Sequence, residues 1–545
     1  MAGNEFSTQV HATNDQATFD LSADVLKTAT PQALKDLAVD RNNWRTGPWR
    51  AKMMPASVHA TLAHCRDRGI RQEIWRQWNA KASFDHDHYN NSVVVEEIRH
   101  NNEGMAKALG YGSVAEHVLA NKMAGSPETV RHFLEAVKRR LHPVFMDRYE
   151  AWNQYAARHE MISGGVQPFD LFYLCPREAE HHYDVSFANL AGHYPFWPTM
   201  EKVFGLLTHI FNLSFEDVSD QPLERCHPSV RIYAVRDKSF DEHLGRLYID
   251  PFDRPGKAGN WNVLLGRMPS VIRAQDKLVY AIGSAEEGSG MHYLQLQKML
   301  AMVGRSVQLL VSRAPYRDLA IPWAPRRAAD WDAADLFPGF LQQFVFKPAL
   351  LLAMASNHVE TNASLDADAA NSHALALSRA QLWGTYRTLF WADYDMTLFE
   401  MEDRRKRFWL DVYKDMHAAY FPWRLQKGDY APCSFTPIFG VQPHMAMYYR
   451  KLWTEMLALD VHERFDEEAD EPRTGERLKE TLLAVGAGDV AKHLYRRFQV
   501  GDDIRRGRMI ESGTMCVQGR DPSVGALCDF YDPPPATEHI LQKQQ

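Results

Sequence analysis

The sequence predicts a mostly α, multi-helical fold carrying one small β-sheet, and three observations lead there. Apolar residues recur at three- and four-residue spacing through long glycine-poor stretches. Proline and glycine cluster between those stretches rather than within them. One island, in which β-branched and aromatic residues alternate with polar ones, interrupts the helical pattern.

In chain order, residues 1–20 precede any strong period and read as an N-terminal extension. From Leu21, LSADVLKTATPQALKDLAV places Ser22 ahead of a helical period, and Thr30-Pro31 has the form of an N-cap followed by proline at the first helical position. The strand-like island is VRIYAVRD (230–237) and GRLYID (245–250), with Arg254-Pro255-Gly256 as its turn. Helical periodicity then returns to about Arg506, so residues 21–510 form the folded body. Residues 511–545 carry Asp532-Pro533-Pro534-Pro535 and read as an extended tail.

Composition narrows the functional classes. The chain has 545 residues, 45% hydrophobic and 24% charged, which excludes a disordered or collagen-like chain. A formal net charge of −7 with no basic domain argues against nucleic acid as a partner. The 6 cysteines are scattered without CxxC spacing, which disfavours a disulfide framework or a cysteine zinc module and suits a reducing, intracellular compartment. No signal or transit pattern opens the chain, and no run reaches the length of a membrane span.

Five strings carry a resemblance: LGYGSVAEHVLANKMAGSPETVRHFLE (109–135), YPFWPTMEKVFGLLTHIFNLSFEDV (194–218), HPSVRIYAVRD (227–237), GRLYIDPFDRPGKAGNW (245–261) and MYYRKLWTEMLALDVHERF (447–465). In order and spacing they resemble peptidase family M3, the zinc oligopeptidases of the thimet oligopeptidase, oligopeptidase A and mitochondrial intermediate peptidase type. The resemblance implies the family's zincin-like catalytic-domain fold over nearly the whole chain, without the further helical N-terminal region usual there. It also implies residence in the cytosol or the mitochondrial matrix.

The same resemblance implies a degenerate centre. Zinc peptidases of this kind place two imidazoles one helical turn apart, a Glu base beside the first, and a carboxylate from a neighbouring helix. None of the 24 histidines belongs to an HExxH or HxxEH string. The family pattern puts Ala301 at the first ligand, Met302 at the base and Arg305 at the second ligand, in a helix with an apolar stripe of Met299, Leu300, Val303, Val307, Leu310 and Val311. Gln342, within FPGFLQQFVFKP, stands at the third ligand. In the substrate-clamping loop Phe439 replaces the His, His444 the first Tyr and Lys451 the last, Gln442-Pro443 replaces a Gly-Gly, and Tyr448 and Tyr449 persist as candidate peptide contacts. A guanidinium cannot shed its proton and an amide oxygen is a weak zinc donor, so no zinc and no other cofactor is expected.

Other conspicuous residues receive plainer readings. Asp85-His86-Asp87-His88 reads as a solvated loop, because adjacent residues point in different directions. His181-His182, following Glu178 and Glu180, reads as an exposed helix, and Arg404-Arg405-Lys406-Arg407 as a solvated helix face. Arg326-Arg327 reads as a solvent-facing loop. No cysteine sits in a recognisable nucleophile string. The expected function is a catalytically inactive pseudo-peptidase acting as a structural or assembly subunit of a larger protein complex. The alternatives are a non-cleaving peptide-binding or regulatory protein, and an active zinc metallo-oligopeptidase with a relocated site.

Overall fold

Helix boundaries follow the punctuation in the chain. In the computed structural model, Thr30 Oγ1 accepts the Ala33 N–H at 3.3 Å and Pro31 opens the helix Pro31–Leu37. Ser126 caps the 33-residue helix Pro127–His159 in the same manner. Ser22 instead precedes a 3-10 turn, Ala23–Leu26, without a side-chain cap. The structure describes residues 2–86, 88–257, 259–268, 275–314, 330–440, 445–468, 470–485 and 490–500. The expected tail, Arg326-Arg327, Asp87 and Gln442-Pro443-His444 lie outside them.

The described chain divides into two units, one made of the described residues up to His182 and of Arg379–Leu452, the other of Tyr183–Ser378 and the described residues from Trp453 to Val500. In the first, the residues expected as an N-terminal extension are folded: Ala2–Ala12 is a helix with Phe6 and Val10 buried, and β1 (Thr18–Leu21) pairs antiparallel with β2 (Trp49–Lys52). Its core is aromatic. Phe145 stacks on Tyr386 at 3.9 Å and Trp391 on Phe435 at 3.8 Å. Two ion pairs are buried in the same unit: Asp170 accepts Arg71 at 2.9 Å, and Glu178 takes a bidentate fork from Arg379. The basic run at 404–407 is a 3-10 turn capped by Asp403 rather than a helix face, and its arginines pair with Glu96, Glu103, Asp403 and Asp415.

The second unit holds a five-stranded sheet: β3 (Leu213–Asp217), β4 (Arg231–Asp237), β5 (Glu242–Phe252), β6 (Asn262–Arg267) and β7 (Leu278–Ala285). Its order is β3-β4-β5-β7-β6, antiparallel except for the β5–β7 pair. Both expected strands are present within it. The hairpin between them turns at Lys238–Asp241, with Asp241 at φ 49°, whereas Arg254-Pro255-Gly256 turns the chain beyond β5, with Gly256 at φ 81°. The additional strands escape a pattern search because they are short or, like LVYAIGSA, continuous apolar runs that periodicity cannot separate from buried helix.

One lysine joins the layers of this unit. Lys479 and Asp237, each 1% exposed, meet at 2.9 Å at the end of β4, and the same ammonium donates to the Phe211 carbonyl that ends the helix Phe196–Phe211. A buried pair is a weak net stabiliser, yet removing one partner strands the other. Lys479→Met is therefore expected to lower unfolding free energy by roughly 3–5 kcal/mol, measured by urea denaturation. The double variant with Asp237→Leu is expected to recover most of that loss.

Candidate functional site

Residues 301–305 lie on the helix Tyr293–Val311 of the second unit, which is secured at both ends. At its start the His292 N–H donates to Gln295 Oε1 at 3.1 Å, one half of a capping box. At its end the buried Lys277 ammonium donates to the Leu310 carbonyl at 2.7 Å and to that of Ser312, placing a cation on the negative end of the helix. Burial pulls the Lys277 pKa down to about 8. Met299, Leu300, Val303, Val307, Leu310 and Val311 are all buried, as the stripe predicts.

Where the resemblance places ligands and base, the side chains do other work. Met302 is 3% exposed and belongs to the core. Ala301 is half-buried and presents only a methyl group. Arg305 pairs with Asp335 at 2.9 Å, just ahead of the helix Leu336–Gln342. Both partners are partly exposed, so the pair contributes at most about 1 kcal/mol and serves mainly to orient. Between Met302 and Arg305, Gly304 lets the two helices touch: a Cβ there would meet Pro338 Cα at 2.8 Å. Gln342 ends the second helix, half-buried. A methyl, a thioether, a guanidinium and an amide do not fit a zinc ion. Among the described residues, no group of three or more His, Cys, Asp or Glu side chains converges to hold a metal.

Beneath the Gln342 helix lies His462, a residue the sequence reading missed. Its Nε2–H donates to the Phe340 carbonyl at 2.9 Å and its ring stacks on Phe340 at 4.3 Å. Burial lowers its pKa to about 4, which keeps the imidazole neutral.

The loop residues belong to the first unit. Phe439 is fully buried between Phe6, at 5.6 Å, and Phe399, at 6.2 Å. Gly3 of the N-terminal helix approaches Gly440 so closely that a Cβ would sit 2.8 Å from its carbonyl oxygen. Further along, Ala446 adopts φ 56°, a conformation costly for a residue with a Cβ. Asp395 explains how it persists: its carboxylate accepts the N–H groups of Ala446 and Tyr448, each at 2.9 Å. Burial still pushes the Asp395 pKa up to about 7. Tyr448 packs on Phe435 at 5.3 Å and its hydroxyl accepts from Lys451 at 3.2 Å, while Tyr449 is fully buried. Asp395 could have been noticed only as one of two carboxylates, with Asp393, inside the largely apolar helix segment FWADYDMTLF, since its partners lie some 50 residues on.

The model of Peptidase family M3 matches residues 61–511. Oligopeptidase A of Haemophilus influenzae is 25% identical over 452 residues, which covers 80% of this chain and 65% of that protein. Oligopeptidase A of Escherichia coli is 23% identical over 502 residues, with 86% and 67% covered. The organellar oligopeptidase A of Arabidopsis thaliana is 24% identical over 476 residues, with 83% and 58% covered. The chain thus spans about two thirds or less of the length of these relatives. A solved structure of PZ peptidase A with an inhibitor aligns over 97% of this chain and 79% of its own at a TM-score of 0.52 and 12% identity, a likeness of fold.

Two outcomes follow from this geometry. Asp395→Ala leaves backbone N–H groups without an acceptor, at roughly 1–3 kcal/mol each; hydrogen exchange at Ala446 and Tyr448 is expected to accelerate while distant core amides keep their protection. For His462, the folded pKa of about 4 lies below the ordinary 6.5, so the unfolded chain takes up the proton first. The stability it confers is complete above pH 6.5 and is lost as pH falls toward 4. Thermal midpoints across that window are expected to fall less steeply in His462→Gln, by on the order of 1–3 kcal/mol of integrated stability.

Proposed function

We propose that this chain, which belongs to peptidase family M3, is a non-catalytic member that acts as a structural or assembly subunit of a larger protein complex. The observation that carries this reading is Arg305. A permanent guanidinium, paired to Asp335 at 2.9 Å, occupies the helical position at which a neutral imidazole would have to face a dication. Ala301, Met302 and Gln342 supply no compensating donor, so the chain carries no zinc and cuts no peptide. A partner surface is then what the folded body offers.

A second reading, capture of peptides without cleavage, is favoured by one feature. Among the described residues, strand β6 forms one edge of the sheet, with Leu264 47% exposed, and an edge strand is a template for an extended peptide. The site of action is an intracellular reducing compartment, cytosol or mitochondrial matrix. The described cysteines, Cys65, Cys175, Cys226 and Cys433, are all free. Among the described residues no single helix is long and apolar enough to cross a membrane.

Sizing of the endogenous protein from a gentle lysate, with metal analysis of the same fractions, tests the proposal. Migration far above 62.5 kDa with constant companion proteins, and zinc well below one ion per chain, is expected. A monomer free of zinc would favour peptide capture. One zinc per chain together with cleavage of mixed short peptides would overturn the reading in favour of an enzyme with a relocated site.

A further inference from the structure

The first unit contains an aromatic cavity that none of the preceding roles uses. Four tryptophans, Trp75, Trp383, Trp391 and Trp423, contribute to its wall, together with Arg387. Among rings, a guanidinium normally finds a carboxylate or a carbonyl. Arg387 has neither: it makes no hydrogen bond and no ion pair, and its guanidinium lies over the rings of Trp75, at 5.9 Å, and Phe172, at 5.7 Å. Burial works against its charge and pulls its pKa down, yet arginine remains protonated at any physiological pH.

The remaining polar groups of the wall sharpen the demand. Asp429 is the carboxylate of the cavity, but its oxygens are taken by Asn79 at 3.0 Å, the Tyr413 hydroxyl at 3.2 Å and the Ala431 N–H at 3.2 Å. It does not come within ion-pair distance of Arg387. His417 is held neutral, its pKa lowered to about 4 by burial. The indole N–H groups of Trp75, Trp383 and Trp423 are buried without an acceptor. Donors therefore exceed acceptors, and ring edges, which carry partial positive charge, add to the imbalance.

From the unpaired Arg387 guanidinium in this donor-rich tryptophan cavity, we infer a binding site for one small monovalent anion, a halide or a compact planar oxyanion. Size sets the upper limit. The cavity measures about 30 Å³, where one water needs roughly 10–15 Å³, so an aromatic acid or a nucleotide phosphate does not fit. Charge sets the valence, since a single guanidinium partly offset by Asp429 does not balance a dianion. The bound anion would neutralise a half-buried cation that the fold otherwise leaves unpaired, and would thereby tie the helix carrying Arg387 to the Trp75 and Trp423 walls.

The full-length chain is compared by thermal unfolding in sodium chloride, nitrate, formate and gluconate at one ionic strength, gluconate being too large to enter. A saturable rise in midpoint with at least one small anion, relative to gluconate, is expected from binding to the folded state alone. In Arg387→Met that increment is expected to vanish, while the midpoint in gluconate stays equal to or above wild type because an unpaired, half-buried charge has been removed. A response to chloride assigns a halide site, and a response confined to nitrate or formate assigns an oxyanion site. Equal midpoints in all four salts for wild type, or an increment that survives in Arg387→Met, would overturn the inference. Should that variant fail to fold, chloride-35 NMR line broadening by the wild-type protein decides: broadening reversed by excess nitrate supports the site. No broadening, with no nitrate- or formate-specific midpoint rise, removes it.

Discussion

The second unit depends on a close approach that only glycine permits. At Gly304 the helix Tyr293–Val311 meets Pro338, and the missing side chain is the reason: a Cβ would lie 2.8 Å from Pro338 Cα, nearer than real Cβ contacts come. With that contact in place, Met302 and Val303 sink into the core, and Arg305 emerges where Asp335 can receive it. The Lys277 ammonium on the Leu310 carbonyl sets the far end of the same helix against the sheet. Packing between the two helices is therefore determined by backbone shape and apolar volume, and it persists with no metal ligand at their interface.

This separation between scaffold and chemistry has a physical basis. In a zinc site the ligands are drawn together by the ion, and the binding free energy becomes folding free energy. Here the second unit is held instead by groups that need no ion. Lys479 satisfies Asp237 and the end of a helix, His462 satisfies the Phe340 carbonyl as a neutral imidazole, and Gly304 admits Pro338. A helix pair stabilised in this way accommodates alanine at 301 and arginine at 305 at little structural expense. The Arg305–Asp335 pair, partly exposed on both sides, has the energy of an orienting contact rather than of a core element.

Much of this was legible in the sequence, and the rest was hidden for definite reasons. The stripe from Met299 to Val311 and the Thr30-Pro31 helix start were readable because period and cap chemistry are local. Strand β7 was not, because a buried parallel strand has no alternation. Helix Ala2–Ala12 was read as an extension because AGNEFSTQVHA has little period of its own; its order comes from Phe6 on Phe439 and from Asn91 donating to the Phe6 carbonyl at 3.1 Å. Asp395, His462 and Arg387 escaped for a shared reason. Nothing in the local pattern sets each apart from its neighbours, and its meaning resides in partners, or in a lack of partners, that only the folded chain defines.

On either side of residues 441–444, the described stretches ending at Gly440 and starting at Met445 are fixed by contacts that resist a change of shape. A loop that closes on a substrate needs small residues and backbone groups free to change partners. Here the described residues on each side are held. Phe439 and Gly440 lie under the N-terminal helix, where Gly3 leaves no room for a side chain, and the strained turn at Ala446 is gripped by a buried carboxylate. Opening it would expose Phe6 and Phe439 together and strand Asp395 without its N–H donors. Those costs add, because the aromatic and carboxylate contacts lie at opposite ends of the segment.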